Sequence, residues 1–176
     1  GLAQSPAPPS AHPTAILPAK KLPAKAAPAR LHPFHFENIQ PTSGVNFVLR
    51  NSISPSRYSI ETMLGGVALF DYNNDGLLDI FFTNGAAIPA LQKSGDEYSN
   101  RLFRNNGDGT FTDVTKQAGL AGIGYSMGVA AGDYDNDGYV DLYIAGFNRN
   151  QLFHNNGDGT FTDVTEKAGV SGVIPG

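Results

Sequence analysis

The chain repeats itself, and the repeat limits what it can fold into. NRLFRNNGDGTFTDVTKQAGL at 100–120 recurs as NQLFHNNGDGTFTDVTEKAGV at 150–170, an offset of 50. GVALFDYNNDGLLDIFFTNG at 66–85 recurs as GVAAGDYDNDGYVDLYIAG at 128–146, an offset of 62. The difference of 12 is an insertion in the first copy, around AAIPALQKSGDEYS at 86–99. A unit this short cannot bury its apolar face alone, so repeats of this kind stack on one another.

The periods within each copy predict strands. Val67 to Phe70 and Leu78 to Phe82 are short apolar runs on either side of a polar, glycine-containing loop. Their length and their aromatic and β-branched content favour strands over helix. Leu102–Arg104 and Thr110–Val114 flank Asn105-Asn106-Gly107-Asp108-Gly109, a hairpin whose turn residues tolerate positive φ. Each repeat thus supplies about four short strands, a propeller blade in miniature. Phe36-Glu37-Asn38-Ile39 reads like Phe111-Thr112-Asp113-Val114, so residues 34–50 are expected to hold the last strand of a preceding blade. The C-terminus stops before another blade would begin. The expected fold is all-β: about two propeller-like blades with partial strands at both ends. Repeat 1 spans about 62–115 and repeat 2 about 124–165 of a domain at 34–176. The only helix expected is a short turn near Glu166-Lys167-Ala168.

The chemistry lies in two loops of form D-x-[DN]-x-D-G-x-x-D, Asp71 to Asp79 and Asp133 to Asp141. Calcium takes about 6–8 hard oxygen ligands, and a curling loop that alternates carboxylates and amides can supply them. Candidate ligands are Asp71, Asn73, Asp75, the Leu77 carbonyl and Asp79. Their counterparts are Asp133, Asp135, Asp137, the Tyr139 carbonyl and Asp141. Two Ca2+ sites are expected, the second tighter because it carries one more carboxylate. An EF-hand is a poor match: position 12 is Phe82 or Ile144 in place of glutamate, and both flanks read as strand. Solvated Asx turns are the simpler alternative for one loop. Two matched copies argue against it, because clustered carboxylates without a cation repel one another.

These motifs resemble the FG-GAP/VCBS repeats of integrin-α-like propellers, and most nearly those of the cartilage acidic protein/UnbV type. The likeness lies in ETMLGGVALFDYNNDG, GVAAGDYDNDGYVDLYIAG and the NNGDGTFTDVT-x-x-AG connector, and it covers about residues 34–172. It implies propeller blades with a calcium ion held by each of the two ligand sets. Propellers of this family usually close with about seven blades, whereas this chain carries about two.

Residues 1–33 form a different segment. Eight of the twelve prolines lie here, among Ala, Lys and Ser, which favours an extended Pro-rich tail and no core. Residues 1–35 carry four basic side chains and no acid; the remainder carries 8 basic against 16 acidic groups, or −8. An acidic body repels phosphate, so nucleic acid is not an expected partner. The tail can instead dock on an acidic surface. No apolar run suffices for a membrane span, and the absence of cysteine excludes disulfides and thiolate metal sites. Gly1 in place of Met fits a processed product, and the expected location is secreted, extracellular or cell-surface.

Two blades cannot close a ring, and open blade edges invite another chain. The expected function is therefore non-enzymatic: a calcium-binding structural subunit that forms a homo-oligomer or homopolymer through its tail and open edges. The alternative is an adhesion module within a larger propeller, with loops 51–62 and 86–99 meeting a protein or glycan ligand. A carbohydrate-active enzyme is a third reading, in which an acid outside the loops, such as Glu61, would act. His32 and His35 beside prolines read as linker residues, and Asp108 and Asp158 as turn residues.

Overall fold

The computed structural model describes residues 35–63 and 65–172. The Pro-rich segment at 1–33 lies outside the described residues, as does His32; His35 is exposed.

Residues 37–176 form one compact unit. Its first sheet contains β1 (Val67–Phe70), β2 (Asp79–Phe82), β3 (Arg101–Asn105) and β4 (Phe111–Asp113). The second contains β5 (Tyr125–Gly132), β6 (Asp141–Phe147), β7 (Gln151–Asn155) and β8 (Phe161–Asp163). Each is an antiparallel meander in chain order. The all-β reading and the four strands per repeat are both borne out. Each aspartate loop joins the first two strands of its sheet, and each NNGDGT turn joins the last two. The aspartate loops and the NNGDGT turns therefore lie at the same end, with the 83–100 and 148–150 connections at the other.

Near the N-terminal edge of the unit the chain makes one helical turn, α1 (Gln40–Ser43). After each sheet it makes another: α2 (Thr115–Ala118) and α3 (Thr165–Ala168), each closed by a left-handed glycine, Gly119 and Gly169. The turn expected near Glu166 is present. Residues 35–39 have no strand partner, contrary to the expected last strand of a preceding blade. The turn just after them nonetheless matches the repeat: α1 ends at Gly44 with φ 80°, as α2 ends at Gly119 with φ 77°. Among the described residues no strand lies beside 35–39 to accept hydrogen bonds, and Pro41, which lacks an N–H, follows in α1.

The core is a layer between the two sheets. Phe70, Tyr72, Phe81 and Leu102 of the first repeat meet Leu142, Ile144, Phe153 and Phe161 of the second. The Tyr72 and Phe161 rings stack at 6.5 Å between centroids. Inner strands β1 and β5 touch, and Gly66 lets them approach. A Cβ on Gly66 would lie 2.9 Å from the Val129 nitrogen and 3.0 Å from the Gly128 Cα.

Candidate metal centre

Each loop curls because position 4 is Asn and position 6 is Gly. Asn74 and Asn136 take φ of 56° and 61°, a region asparagine tolerates, and Gly76 and Gly138 take 84° and 93°. The first aspartate closes the curl. Asp71 accepts the Asp75 and Gly76 N–H groups at 3.1 and 2.7 Å, and Asp133 accepts those of Asp137 and Gly138 at 3.1 and 2.9 Å. Position 5 then accepts the N–H of position 7: Leu77 to Asp75 at 2.9 Å, Tyr139 to Asp137 at 2.8 Å.

The last aspartate is the anchor. Asp79 and Asp141 are fully buried at the start of β2 and β6. Asp79 accepts N–H groups from Tyr72 at 3.0 Å and Asn105 at 2.8 Å, and Asp141 accepts those of Tyr134 at 3.0 Å and Asn155 at 2.7 Å. Burial raises the Asp79 carboxyl above the ordinary carboxylate range, while these two N–H groups oppose the shift.

The two loops differ in what converges. In the second, oxygens of Asp133, Asp135 and Asp141 lie within 4.8 Å of one another, as do ligand atoms of Asp135, Asp137 and His154. His154 Nδ1 lies 3.3 Å from both Asp135 Oδ2 and Asp141 Oδ1, and it is buried without a hydrogen bond. In the first loop, Asn73 replaces Asp135 and exposed Arg104 replaces His154. The Asn73 amide N–H donates to Asp75 at 2.9 Å, which leaves Asn73 Oδ1 buried with no partner. A buried oxygen that accepts nothing, in a loop of carboxylates, suits a hard cation. The donors present are all oxygens apart from His154, so both loops fit calcium by chemistry.

The structure also places residues that sequence reasoning did not assign. Asn105 and Asn155 read as turn residues. Besides their backbone bonds to Asp79 and Asp141, their side-chain amides donate to the Leu78 carbonyl at 3.1 Å and the Val140 carbonyl at 3.1 Å. Asn155 also donates to the Tyr72 carbonyl of the first loop at 2.8 Å, and Asn74 donates to the Gly138 carbonyl at 3.1 Å. The identical position of Asn105 and Asn155 in the two repeats was the available signal.

Asp108 and Asp158 accept from Thr110 and Thr160, backbone and hydroxyl, within their own turns. Those bonds hold both carboxyls below the usual range. Glu61 is similarly committed: it accepts from the Ser54 N–H and hydroxyl and from the Tyr58 N–H, which closes the 54–61 loop. The Ser54 hydroxyl is the main cause of its lowered pKa.

Comparison with known proteins agrees with the architecture. The FG-GAP-like repeat model matches residues 71–144 and again 133–174. Cartilage acidic protein 1 of Xenopus tropicalis is 32% identical over 84 residues, which is 47% of this chain and 11% of that protein. The chain thus spans about a tenth of that relative's length. Two meander sheets, a D-x-[DN]-x-D-G-x-x-D loop between the first two strands of each, and a repeat model that matches across both place this chain in the FG-GAP repeat family.

Proposed function

We propose that the chain is a non-enzymatic, extracellular calcium-binding repeat module. In this reading one Ca2+ binds in each aspartate loop, held by Asp71, Asn73, Asp75, the Leu77 carbonyl and Asp79, and by Asp133, Asp135, Asp137, the Tyr139 carbonyl and Asp141. The observation that carries it is the buried Asn73 Oδ1, which has no hydrogen-bond partner beside carboxylates already curled by their own backbone. Bound calcium would supply positive charge to these oxygens and fix the tips of both sheets. FG-GAP membership supports the same ion and an extracellular setting. Among the described residues no helix is long and apolar enough to cross a membrane.

The module is proposed to serve as a structural subunit, residues 34–176 forming the repeat domain and residues 1–33 a tail. It self-associates, through open blade edges and the tail, into a filament or surface assembly. An adhesion reading has one observation in its favour. At the end opposite the loops, Tyr58, Ile60, Ile88, Pro89, Leu91 and Phe147 line an apolar depression of about 400 Å3.

Calcium titration by calorimetry, with melting in calcium and in chelator, tests the reading. Two sites are expected, the second tighter. At calcium a hundredfold above Kd each site adds about 2.7 kcal/mol. Asp75→Ala should remove one site and Asp137→Ala the other. No binding heat at millimolar calcium, together with an unchanged Tm, would refute it.

A further inference from the structure

The two repeats expose the same face to different extents. In the first sheet, Ala68, Phe70, Phe81 and Leu102 point toward the second sheet and are covered by it. Their counterparts on the second sheet are Ala130, Gly132, Tyr143 and Leu152, in the same register. Tyr143 is 37% exposed where Phe81 is 0%, and Tyr134 is 52% exposed where Tyr72 is 5%. Ala118 at the end of α2 is buried, whereas Ala168 at the end of α3 is exposed. Gly119 packs on the Phe161 carbonyl, with its missing Cβ 3.3 Å away, whereas Gly169 has nothing within 4 Å.

The opposite face shows the converse. Val129 of β5 and Val140, just before β6, pack against the shared core. Their counterparts on the first sheet, Val67 and Leu78, are exposed, as is Leu69 beside them. One face of this molecule therefore has the register of one half of its internal interface, with Gly132 in place of Phe70 and Tyr143 in place of Phe81, and the opposite face has the register of the other half. We propose that these two faces bind each other between copies. The second-sheet face of one copy (Ala130, Tyr134, Tyr143) takes the first-sheet face of a second copy (Val67, Leu69, Leu78), head to tail. The proposal deepens the self-association reading above and rests on it.

The internal interface also specifies the polar contacts. Asn155 donates to the Tyr72 carbonyl and Asn74 to the Gly138 carbonyl. By the offsets of 50 and 62, Asn105 of the second copy reaches the Tyr134 carbonyl, and Asn136 reaches the second copy's Gly76 carbonyl. One place is already filled. Gly44 sits on the Phe111 carbonyl as Gly119 sits on that of Phe161. Only one connector fits there, so α3 and Gly169 of the first copy replace α1 and Gly44 of the second. A contact that repeats head to tail without closing makes a filament; one that closes makes a ring.

The test uses the full chain in saturating calcium. Sedimentation velocity from 1 to 200 µM should show mass increasing with concentration. Tyr143→Asp and Leu69→Asp, both at exposed positions, should each weaken association at least tenfold, with Ala130→Glu as a second variant on the Tyr143 face. A mixture of Tyr143→Asp and Leu69→Asp retains one intact face of each kind, so it should form a 1:1 pair and nothing larger. Amide exchange at residues 40–44 should speed up on association. Association that persists in Tyr143→Asp and Ala130→Glu overturns the face assignment and leaves tail-driven assembly standing. A monomer throughout overturns both, and calcium binding is judged separately by melting.

Discussion

Phe81 and Tyr143 occupy one position in two repeats and should respond very differently to truncation. Each pairs with an inner-strand alanine (Ala68 or Ala130) and a third-strand leucine (Leu102 or Leu152). Phe81 has no exposed surface and lies in the layer between sheets. Removing a fully buried phenylalanine costs its transfer energy plus a cavity, about 3–5 kcal/mol. That is a fifth or more of the roughly 5–15 kcal/mol that holds a domain together. Tyr143 is exposed in the single molecule, so Tyr143→Ala should cost no more than about 1 kcal/mol. Urea unfolding in saturating calcium, at concentrations low enough to keep the chain monomeric, measures both. The expected result is a Phe81→Ala midpoint far below that of Tyr143→Ala, with similar slopes. Losses within about 1 kcal/mol of each other would refute the claim that the two equivalent faces differ in burial.

Two further outcomes concern other parts of the molecule. Gly169→Ala should cost only the left-handed backbone penalty, about 1–2 kcal/mol; Gly44→Ala should cost at least about 1 kcal/mol more, because its Cβ would lie 2.6 Å from the Phe111 carbonyl oxygen. Equal Tm losses in the two variants would contradict the seating of Gly44. Lys93 donates to the carbonyls of Asn84, Gly85 and Tyr98 at 2.8, 3.0 and 2.7 Å, and burial pushes its pKa down to about 7. Its folded pKa lies below the unfolded value, so the unfolded chain binds more protons above pH 7. Stability should therefore rise from pH 7 toward 10, by up to about 1.4 kcal/mol per unit. Lys93→Met should flatten the rise, and an unchanged slope would assign it elsewhere.

Much of the fold was legible in the sequence because repetition removes ambiguity. A short apolar run such as Leu78–Phe82 fits helix or strand alone, yet a second copy around a second glycine loop settles it. The two acidic loops were legible for the same reason, since alternate oxygen-bearing side chains and a glycine lie within nine consecutive residues. What lay beyond reach was long-range. Asn105 looks like a turn residue until β2 and β3 pair, which brings its N–H 2.8 Å from an oxygen of Asp79, 26 residues away. His154 occupies the place of Arg104, and nothing local distinguishes a strand histidine from one aimed at three aspartates. Residues 35–39 carry a strand-like sequence without the neighbours that would make them a strand. Periodicity reports which face is apolar; it does not report whether a partner is there to cover it.

The loop-to-loop amide contacts, Asn74 to Gly138 and Asn155 to Tyr72, tie the two acidic tips into one frame. A cation that stiffens one tip thereby steadies the backbone its neighbour must offer. Filling should be steeper than for two separate wells, and damage at one tip should blunt uptake at the other.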